Sequence, residues 1–178
     1  PIGDSDHGIN MARGFTAVDA KLPSLEGKDI GTILKTVGMT LVSTVGGASG
    51  PLYGTAFMRA GMAVGSKTEI SADDCINLMD AAVAGVKQRG HAELEDATML
   101  DAMIPALDAM KKAAEAGGMP KEMLTRGAAA AKEGAVHTAS LVAKKGRASY
   151  LGERGIGHID PGAASFALMM EAAAETIV

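Results

Sequence analysis

Apolar residues recur along this chain at the three- and four-residue intervals of amphipathic helices. Such spacing places apolar side chains along one side of an α-helix. Four segments show it: Ile30, Ile33, Leu34, Val37 and Leu41; Cys75, Met79, Ala82 and Val86; Met99, Leu100, Met103, Ile104 and Leu107; Phe166, Met169, Met170, Ala173 and Ile177. No stretch of the sequence alternates with the period of a strand between turn signals. The pattern predicts an all-α protein, an antiparallel up-and-down helical bundle or barrel of six or more helices.

Local residue chemistry marks where several of these helices begin. The predicted starts are Ser71 followed by Asp73 and Asp74, Asp160 followed by Pro161, and Pro120 ahead of a helix running towards Leu141. Short polar caps and a first-turn proline satisfy or remove the unpaired N–H groups of a helix start. Pro105 lies inside the third apolar segment, where we expect it to kink the helix because proline supplies no N–H.

Length and composition agree with one helical domain. With 178 residues, of which 47% are hydrophobic, the chain can bury one substantial core, and we predict a single domain over residues 1–178. Aromatic residues make up only 3% and Trp is absent. Ala, Leu and Met supply the apolar bulk instead, and these residues favour helices over strands.

The charge and cysteine content exclude several function classes. The net charge of -4 arises from 17 basic and 21 acidic residues scattered along the chain. Nucleic acid is therefore not an expected partner, since phosphate-backbone binding needs clustered basic residues. No apolar run reaches the roughly 20 residues that cross a bilayer, so no membrane association is expected. The lone Cys75, which we expect to be buried, and the lack of a leader favour a cytoplasmic protein.

The opening segment brings two carboxylates close together on a loop that leads into a helix. Asp4 and Asp6 lie two positions apart within Gly3-Asp4-Ser5-Asp6-His7-Gly8. Both can point at one hard cation such as Mg²⁺, which prefers oxygen ligands. An acidic turn that only caps the helix is the equally weighted alternative. A calcium EF-hand is excluded, because Ile9 and Phe15 occupy its required Gly and Glu positions.

A second loop, Val45-Gly46-Gly47-Ala48-Ser49-Gly50-Pro51, separates two predicted helices. Glycines let main-chain N–H groups approach an anion at the start of the next helix, so this loop can hold phosphate. A tight joint between helices is the alternative, and from this loop alone it is the favoured one. The loop is not a Walker motif, because no Gly-Lys-Ser/Thr sequence occurs in the chain.

Two further polar connections carry candidate chemistry. The segment from Arg89 to Asp101 leads into a helix, and we interpret Asp96 as its cap. The segment from Lys144 to Gly162 contains basic groups available to phosphate or ribose, although a solvated surface loop is the usual explanation of such a run. His137 is interpreted as structural, and the four histidines lack the spacing of a zinc protease.

Four segments in this order resemble the L subunit of dihydroxyacetone kinase. They are Gly3 to Asn10, Gly46 to Gly54, Asp96 to Asp101, and Gly146 to Arg154 followed by Asp160-Pro161-Gly162. The resemblance implies an eight-helix antiparallel barrel that binds ADP or ATP at one end through two magnesium ions. In this family the first helix would precede Pro1, and so would a third metal-binding aspartate. The absence of Met at Pro1 fits an expectation that the natural beginning of the protein is not included.

The resemblance also implies a role for individual residues. Asp4 and Asp6 would bind magnesium. His7, Gly8, Ile9 and Asn10 would lie beside the phosphates, to which Ala48 and Ser49 would donate hydrogen bonds. Gly90 and Met99 would border the adenine, and Arg147 with Asp160, Pro161 and Gly162 would close over the nucleotide. No general base is assigned.

The function implied by the resemblance is a phosphoryl relay. In the phosphotransferase-dependent form, a phosphohistidine on an M subunit phosphorylates bound ADP, and the ATP so formed phosphorylates dihydroxyacetone held by a K subunit. Four alternatives stay open: the nucleotide domain of an ATP-dependent dihydroxyacetone kinase, a non-catalytic nucleotide-binding adaptor, a plain helical scaffold, and the related module of a fatty-acid kinase. Turnover of dihydroxyacetone would distinguish the kinase domain from the non-catalytic adaptor. Binding of a nucleotide would exclude the plain helical scaffold.

Overall fold

A computed structural model describes residues 5–177 of the chain. Within that range all regular structure is helical, which confirms the predicted all-α class. The α-helices are α1 His7–Asp19, α2 Ile30–Thr44, α3 Ser49–Val64, α4 Ala72–Gly90, α5 Leu100–Glu115, α6 Pro120–His137 and α7 Pro161–Thr176. Short 3-10 segments span Leu22–Leu25, Thr138–Ser140 and Arg147–Gly155. None of the described helices is long and apolar enough to span a membrane.

The helices form two compact units, and each is described by itself. The first unit, Asp6–His91, contains α1 to α4. The second contains α5 to α7 and comprises the chain from Ala92 onwards together with Ser5. Within each unit, consecutive helices pack against each other. Short connections make α2, α3 and α4 antiparallel neighbours, and likewise α5 and α6, whereas the connection from α6 to α7 is long and contains two 3-10 segments. The prediction of a single domain over residues 1–178 stays a prediction.

Four glycines let α2 and α3 pack with their main chains in close contact. A Cβ added to Gly38 would lie 2.7 Å from the carbonyl oxygen of Gly54, and one on Gly54 would lie 2.8 Å from that of Gly38. Gly31 and Gly61 form the same reciprocal pair, at 2.7 and 2.8 Å. Real Cβ atoms do not approach oxygen so closely, so no larger residue fits without moving a helix. We call these four residues the glycine seam.

The core of each unit includes residues of the predicted helix faces, together with Tyr53 and Met123, which the sequence pattern did not predict. In the first unit Leu41, Tyr53 and Val86 are almost fully buried. In the second unit Leu100, Met103 and Met123 are equally inaccessible. Alanine fills much of the remaining interior, which allows close helix packing with few aromatic residues. Cys75, expected to be buried, is only partly so.

The three predicted helix starts are confirmed. Ser71 accepts a hydrogen bond from the N–H of Asp74, whose carboxylate accepts one from the N–H of Ser71, completing a capping box. Asp160 caps α7 through the N–H of Ala163 at 2.8 Å. Pro120 is the first residue of α6, which ends at His137 and continues as a 3-10 turn instead of running unbroken to Leu141.

Candidate functional site

The starts of α1 and α3 meet in the first unit. The Nδ1 atom of His7, the first residue of α1, lies 3.0 Å from the Oγ atom of Ser49, the first residue of α3. Each helix start presents N–H groups that have no partner within the helix, together with the positive end of the helix dipole. The contact therefore brings together two groups of donors suited to an anion.

A chain of hydrogen bonds fixes the polar side chains on the first two turns of α1. Asp6 Oδ2 accepts from Asn10 Nδ2 at 2.8 Å, and Asn10 Oδ1 accepts from Arg13 Nη2 at 2.7 Å. Arg13 Nε also donates to the carbonyl oxygen of Thr44 at 3.0 Å, at the end of α2. The Asp6 carboxylate makes no capping hydrogen bond to α1, although Asp6 is its N-cap residue. The capping alternative for this carboxylate is therefore not what the structure contains.

The glycine-rich loop lies directly beside this network. A Cβ on Gly46 would come within 3.4 Å of the Asn10 amide, and Gly47 has a positive φ of 66°. Ala48 is the exposed N-cap residue of α3. Glycine is suited to both loop positions because it has no Cβ and adopts positive φ readily. The loop thus leaves Gly47 and Ala48 exposed next to Asn10 and Ser49.

Burial keeps His7 neutral at ordinary pH. Loss of hydration lowers the pKa of His7 below 6.5, and the nearby Asp6 carboxylate only partly opposes this effect. A neutral imidazole can hydrogen-bond to Ser49 as donor or acceptor. Gly8 and Ile9 follow His7 in the exposed first turn of α1.

At the far end of this unit's sequence, Gly90 is the last residue of α4, where a Cβ would lie 3.3 Å from Leu52 of α3.

In the second unit, the start of α7 packs against the residue that precedes α5. A Cβ on Gly162 would lie 3.3 Å from the Cβ of Met99, which is itself buried. The N–H of Asp160 donates to Thr138 Oγ1 at 2.8 Å, and that buried hydroxyl donates to the carbonyl oxygen of Ala135. Pro161 is the first residue of α7. The structure therefore places Met99 beside Gly162 at the start of α7.

The carboxyl group of Asp160 has a raised pKa because it is buried. Burial raises its pKa to about 6, and the neighbouring Asp101 carboxylate adds to the increase, whereas the N–H groups of Ala163 and Gly162 oppose it. The charged form is disfavoured because little water reaches it. The protonation state of Asp160 therefore depends on the burial of this turn and on the nearby Asp101.

Asp101 is a central residue of this region that the sequence interpretation missed. Its carboxylate is 2% exposed and accepts hydrogen bonds from the N–H groups of Glu95 at 2.6 Å and Thr98 at 2.8 Å. The Thr98-to-Asp101 spacing is that of a capping box, a local signal that was available. The interpretation of Asp96 as the cap of α5 is wrong. Asp96 instead accepts from the N–H of Glu93 at 3.0 Å and pairs with Lys144 at 3.1 Å.

The remaining candidates are placed as follows. Arg147 begins the exposed 3-10 segment, directly after Gly146 with its positive φ of 62°. His137, interpreted as structural, is exposed and its Nε2 lies 2.8 Å from Glu95 Oε1. Asp4 lies outside the described residues. Among residues 5–177, no group of three or more His, Cys, Asp or Glu side chains is arranged to hold a metal ion.

Comparisons with known proteins give the same family as the sequence motifs. A family model described as the DAK2 domain matches residues 1–175. The ADP-binding subunit DhaL of the PEP-dependent dihydroxyacetone kinase of Escherichia coli K12 is 46% identical over 96% of this chain and 81% of that protein. The corresponding subunit of PEP-dependent dihydroxyacetone kinase 2 from Listeria innocua is 44% identical, over 99% of this chain and 82% of its own length.

A solved structure supports the fold. The crystal structure of the dihydroxyacetone kinase from C. freundii in complex with AMP-PNP and Mg²⁺ matches 98% of this chain with a TM-score of 0.73 and 26% identity. The chain covers 29% of that larger protein. The match to the family model and the high coverage of the DhaL relatives establish that this chain belongs to the DAK2-domain family, as a relative of the ADP-binding subunits of dihydroxyacetone kinases.

Proposed function

We propose that the chain is the ADP- or ATP-binding subunit of a PEP-dependent dihydroxyacetone kinase. In this proposal a phosphoryl group passes from a phosphohistidine on an M subunit to bound ADP, and then to dihydroxyacetone on a K subunit, in the cytoplasm. The identity of 46% with a DhaL subunit supports the PEP-dependent form of the kinase over the other forms in the family. The nucleotide then acts as a retained cofactor of this chain.

The contact between His7 and Ser49 is the observation that carries the proposal. At 3.0 Å it joins the starts of α1 and α3 beside the glycine-rich loop, where a phosphate can receive several N–H hydrogen bonds. We assign the phosphates to His7, Gly8, Ile9 and Asn10 on α1, and to Ala48 and Ser49 on the loop and α3. Neutral His7 and hydroxyl-bearing Ser49 add side-chain donors to these N–H groups.

The metal-binding residues of the proposal are Asp6 and Asp4. Asp6 fits this role because its carboxylate is exposed, makes no capping bond, and is held in place by Asn10. Oxygen donors of this kind are those that Mg²⁺ prefers. Asp4 and Asp6 would hold two magnesium ions, which would neutralise phosphate charge.

The base is assigned to Gly90 and Met99, with Arg147 and the Asp160-Pro161-Gly162 turn covering the nucleotide. Phosphoryl transfer depends mainly on positioning and charge neutralisation. Side chains of this chain therefore bind and orient, and no general base is assigned among them.

An ATP-dependent dihydroxyacetone kinase is the second candidate. The match to the C. freundii kinase solved with AMP-PNP favours it, since this chain corresponds to 29% of that protein. In this case ATP would exchange at each turnover as a substrate. The two candidates share the nucleotide site and differ in the source of the phosphoryl group.

Native mass spectrometry of the purified protein, with and without a magnesium chelator, tests the proposal. We expect a retained ADP–magnesium adduct that the chelator removes. Asp6→Asn should abolish the adduct, whereas Asp19→Asn, an exposed aspartate at the other end of α1, should retain it. A protein that carries no nucleotide and binds added ATP weakly would favour the ATP-dependent kinase.

A turnover assay separates catalysis from binding alone. Phosphorylation of dihydroxyacetone is measured with K and M subunits, first with PEP and the general phosphotransferase proteins, then with ATP. PEP-dependent turnover that is lost in Asp6→Asn supports the proposal. Nucleotide binding without turnover under either condition would indicate the non-catalytic adaptor.

A further inference from the structure

Two residues in the segment from Glu93 to Thr98 adopt a backbone conformation that their residue types do not favour. Glu95 and Ala97 adopt positive φ angles of 70° and 55°, although neither is glycine. Residues with a Cβ rarely adopt this left-handed conformation, and they hold it only when surrounding interactions require it. Something in the second unit must therefore hold this segment.

Asp101 supplies that restraint. Each of its two carboxylate oxygens accepts one main-chain hydrogen bond, Oδ1 from Glu95 and Oδ2 from Thr98, at 2.6 and 2.8 Å. These two N–H groups bracket the left-handed residue Ala97 on either side. Hydrogen bonds to a buried carboxylate are stronger than those to a neutral acceptor.

The position of Asp101 is itself fixed by helix packing. Its main-chain carbonyl lies against Gly134 of α6, where a Cβ would overlap the oxygen. A second restraint comes from Asp96, which accepts from Glu93 and is joined to Lys144 by both a main-chain bond of 3.0 Å and an ion pair of 3.1 Å. The segment is thus held from α5 and from the polypeptide after α6.

We propose that Asp101 is a positioning residue for the nucleotide base. The restrained segment leads directly into Met99, and Met99 packs against Gly162 at the start of α7. Asp101 therefore determines where Met99 lies. This inference rests on the proposed function, which assigns Met99 to the border of the base.

Substitution of Asp101 tests the inference. The purified protein and Asp101→Asn are titrated calorimetrically with MgADP and with MgGDP. Asparagine keeps one oxygen but turns an NH₂ group towards a main-chain N–H. We expect MgADP affinity to fall about ten-fold and the preference for MgADP over MgGDP to shrink about five-fold. Asp108→Asn, an exposed aspartate on the same helix, should change neither value.

A series at Glu95 tests the same idea without altering the core, because Glu95 is exposed. Glycine, alanine and valine are substituted in turn, and all three remove the side-chain contact with His137. Only their tolerance of positive φ differs, and it decreases from Gly to Ala to Val. We expect MgADP affinity and base preference to decrease in that order, with Glu95→Gly within about two-fold of the parent protein.

The outcomes separate the inference from the proposed function. If the parent protein binds neither nucleotide, both are wrong. If it binds MgADP but Asp101→Asn and the Glu95 series keep the parent base preference, only the inference is overturned. Thermal unfolding of each variant is measured in parallel, because a purely structural role would lower Tm while leaving the ratio of the two affinities unchanged.

Discussion

Gly134 of α6 lies directly against the main-chain carbonyl oxygen of Asp101 in α5. A Cβ at position 134 would overlap that oxygen. The carbonyl of Asp101 is four residues before Pro105, which supplies no N–H to it. α5 continues through this proline as one helix, so the close approach of α6 covers the turn that has lost a helical hydrogen bond.

We expect Gly134→Ala to destabilise the protein by about 2 kcal/mol, because the added methyl group must displace one helix from the other. Denaturant unfolding followed by circular dichroism measures the change. Gly8→Ala is the matched control, since a Cβ at that helical position meets nothing within 4 Å. It should be neutral or stabilising by up to about 1 kcal/mol. Equal effects of the two substitutions would contradict the role of the Gly134 contact.

Asp160 should make the stability of the protein depend on pH between about 4 and 6. Its pKa rises from 3.8 to about 6 on folding, so the folded state binds this proton more tightly than the unfolded state. Stability from this group is complete below the unfolded pKa and is lost as pH rises through the folded pKa. Asp160→Asn keeps an oxygen to cap α7 and removes the charge.

We therefore compare the free energy of unfolding of Asp160→Asn with that of the parent protein at two pH values. The difference should favour the variant by on the order of 2 kcal/mol more at pH 8 than at pH 4. Urea unfolding across this range measures the difference. An unchanged pH profile would show that the Asp160 carboxylate is better hydrated than its surroundings indicate.

His7 should have the opposite pH dependence. Its pKa is lowered by burial, so its contribution to stability is complete above pH 6.5 and is lost as pH falls through the lower folded pKa. His7→Gln should flatten the decline of Tm on mild acidification. Thermal unfolding of both proteins across this pH range measures the difference. If Tm changes with pH in the same way in the parent protein and in His7→Gln, burial does not lower the pKa of His7.

Ser49→Ala tests the proposed phosphate contacts. The substitution removes the hydroxyl that contacts His7 and is assigned to a phosphate, and it leaves the main-chain N–H of residue 49 in place. We expect MgADP affinity to fall about five-fold, as for the loss of one hydrogen bond to a charged group. Ser43→Ala, in the exposed last turns of α2, should bind MgADP like the parent protein. Calorimetric titration at fixed magnesium provides both values.

Helix starts were predictable from sequence because their chemistry is local. Ser71 with Asp74, and Asp160 with Ala163, satisfy N–H groups within three residues along the chain. The start of α5 was misassigned for a related reason. Asp96 and Asp101 both precede or begin the helix, and sequence alone does not show that the backbone turns left-handed at Glu95 and Ala97, where no glycine signals it.

Contacts between distant residues could not be predicted in the same way. His7 and Ser49 are 42 positions apart, and their approach depends on how α1, α2 and α3 pack. The motifs identified both residues as members of one site through family resemblance, without geometry. The link from Asp160 to Thr138 joins residues 22 positions apart, and neither the pattern nor the resemblance indicated Thr138.

The glycine seam has a consequence for motion in the first unit. Because carbonyl oxygens of α2 and α3 occupy the spaces that side chains would fill, sliding one helix along the other by a single residue would force side chains into main-chain atoms. The two helices are therefore held in a fixed register and move together as one rigid body. Any rearrangement of the loop between them on ligand binding must come from the loop's own torsion angles, at Gly46 and Gly47, and not from a shift of the helices that carry it.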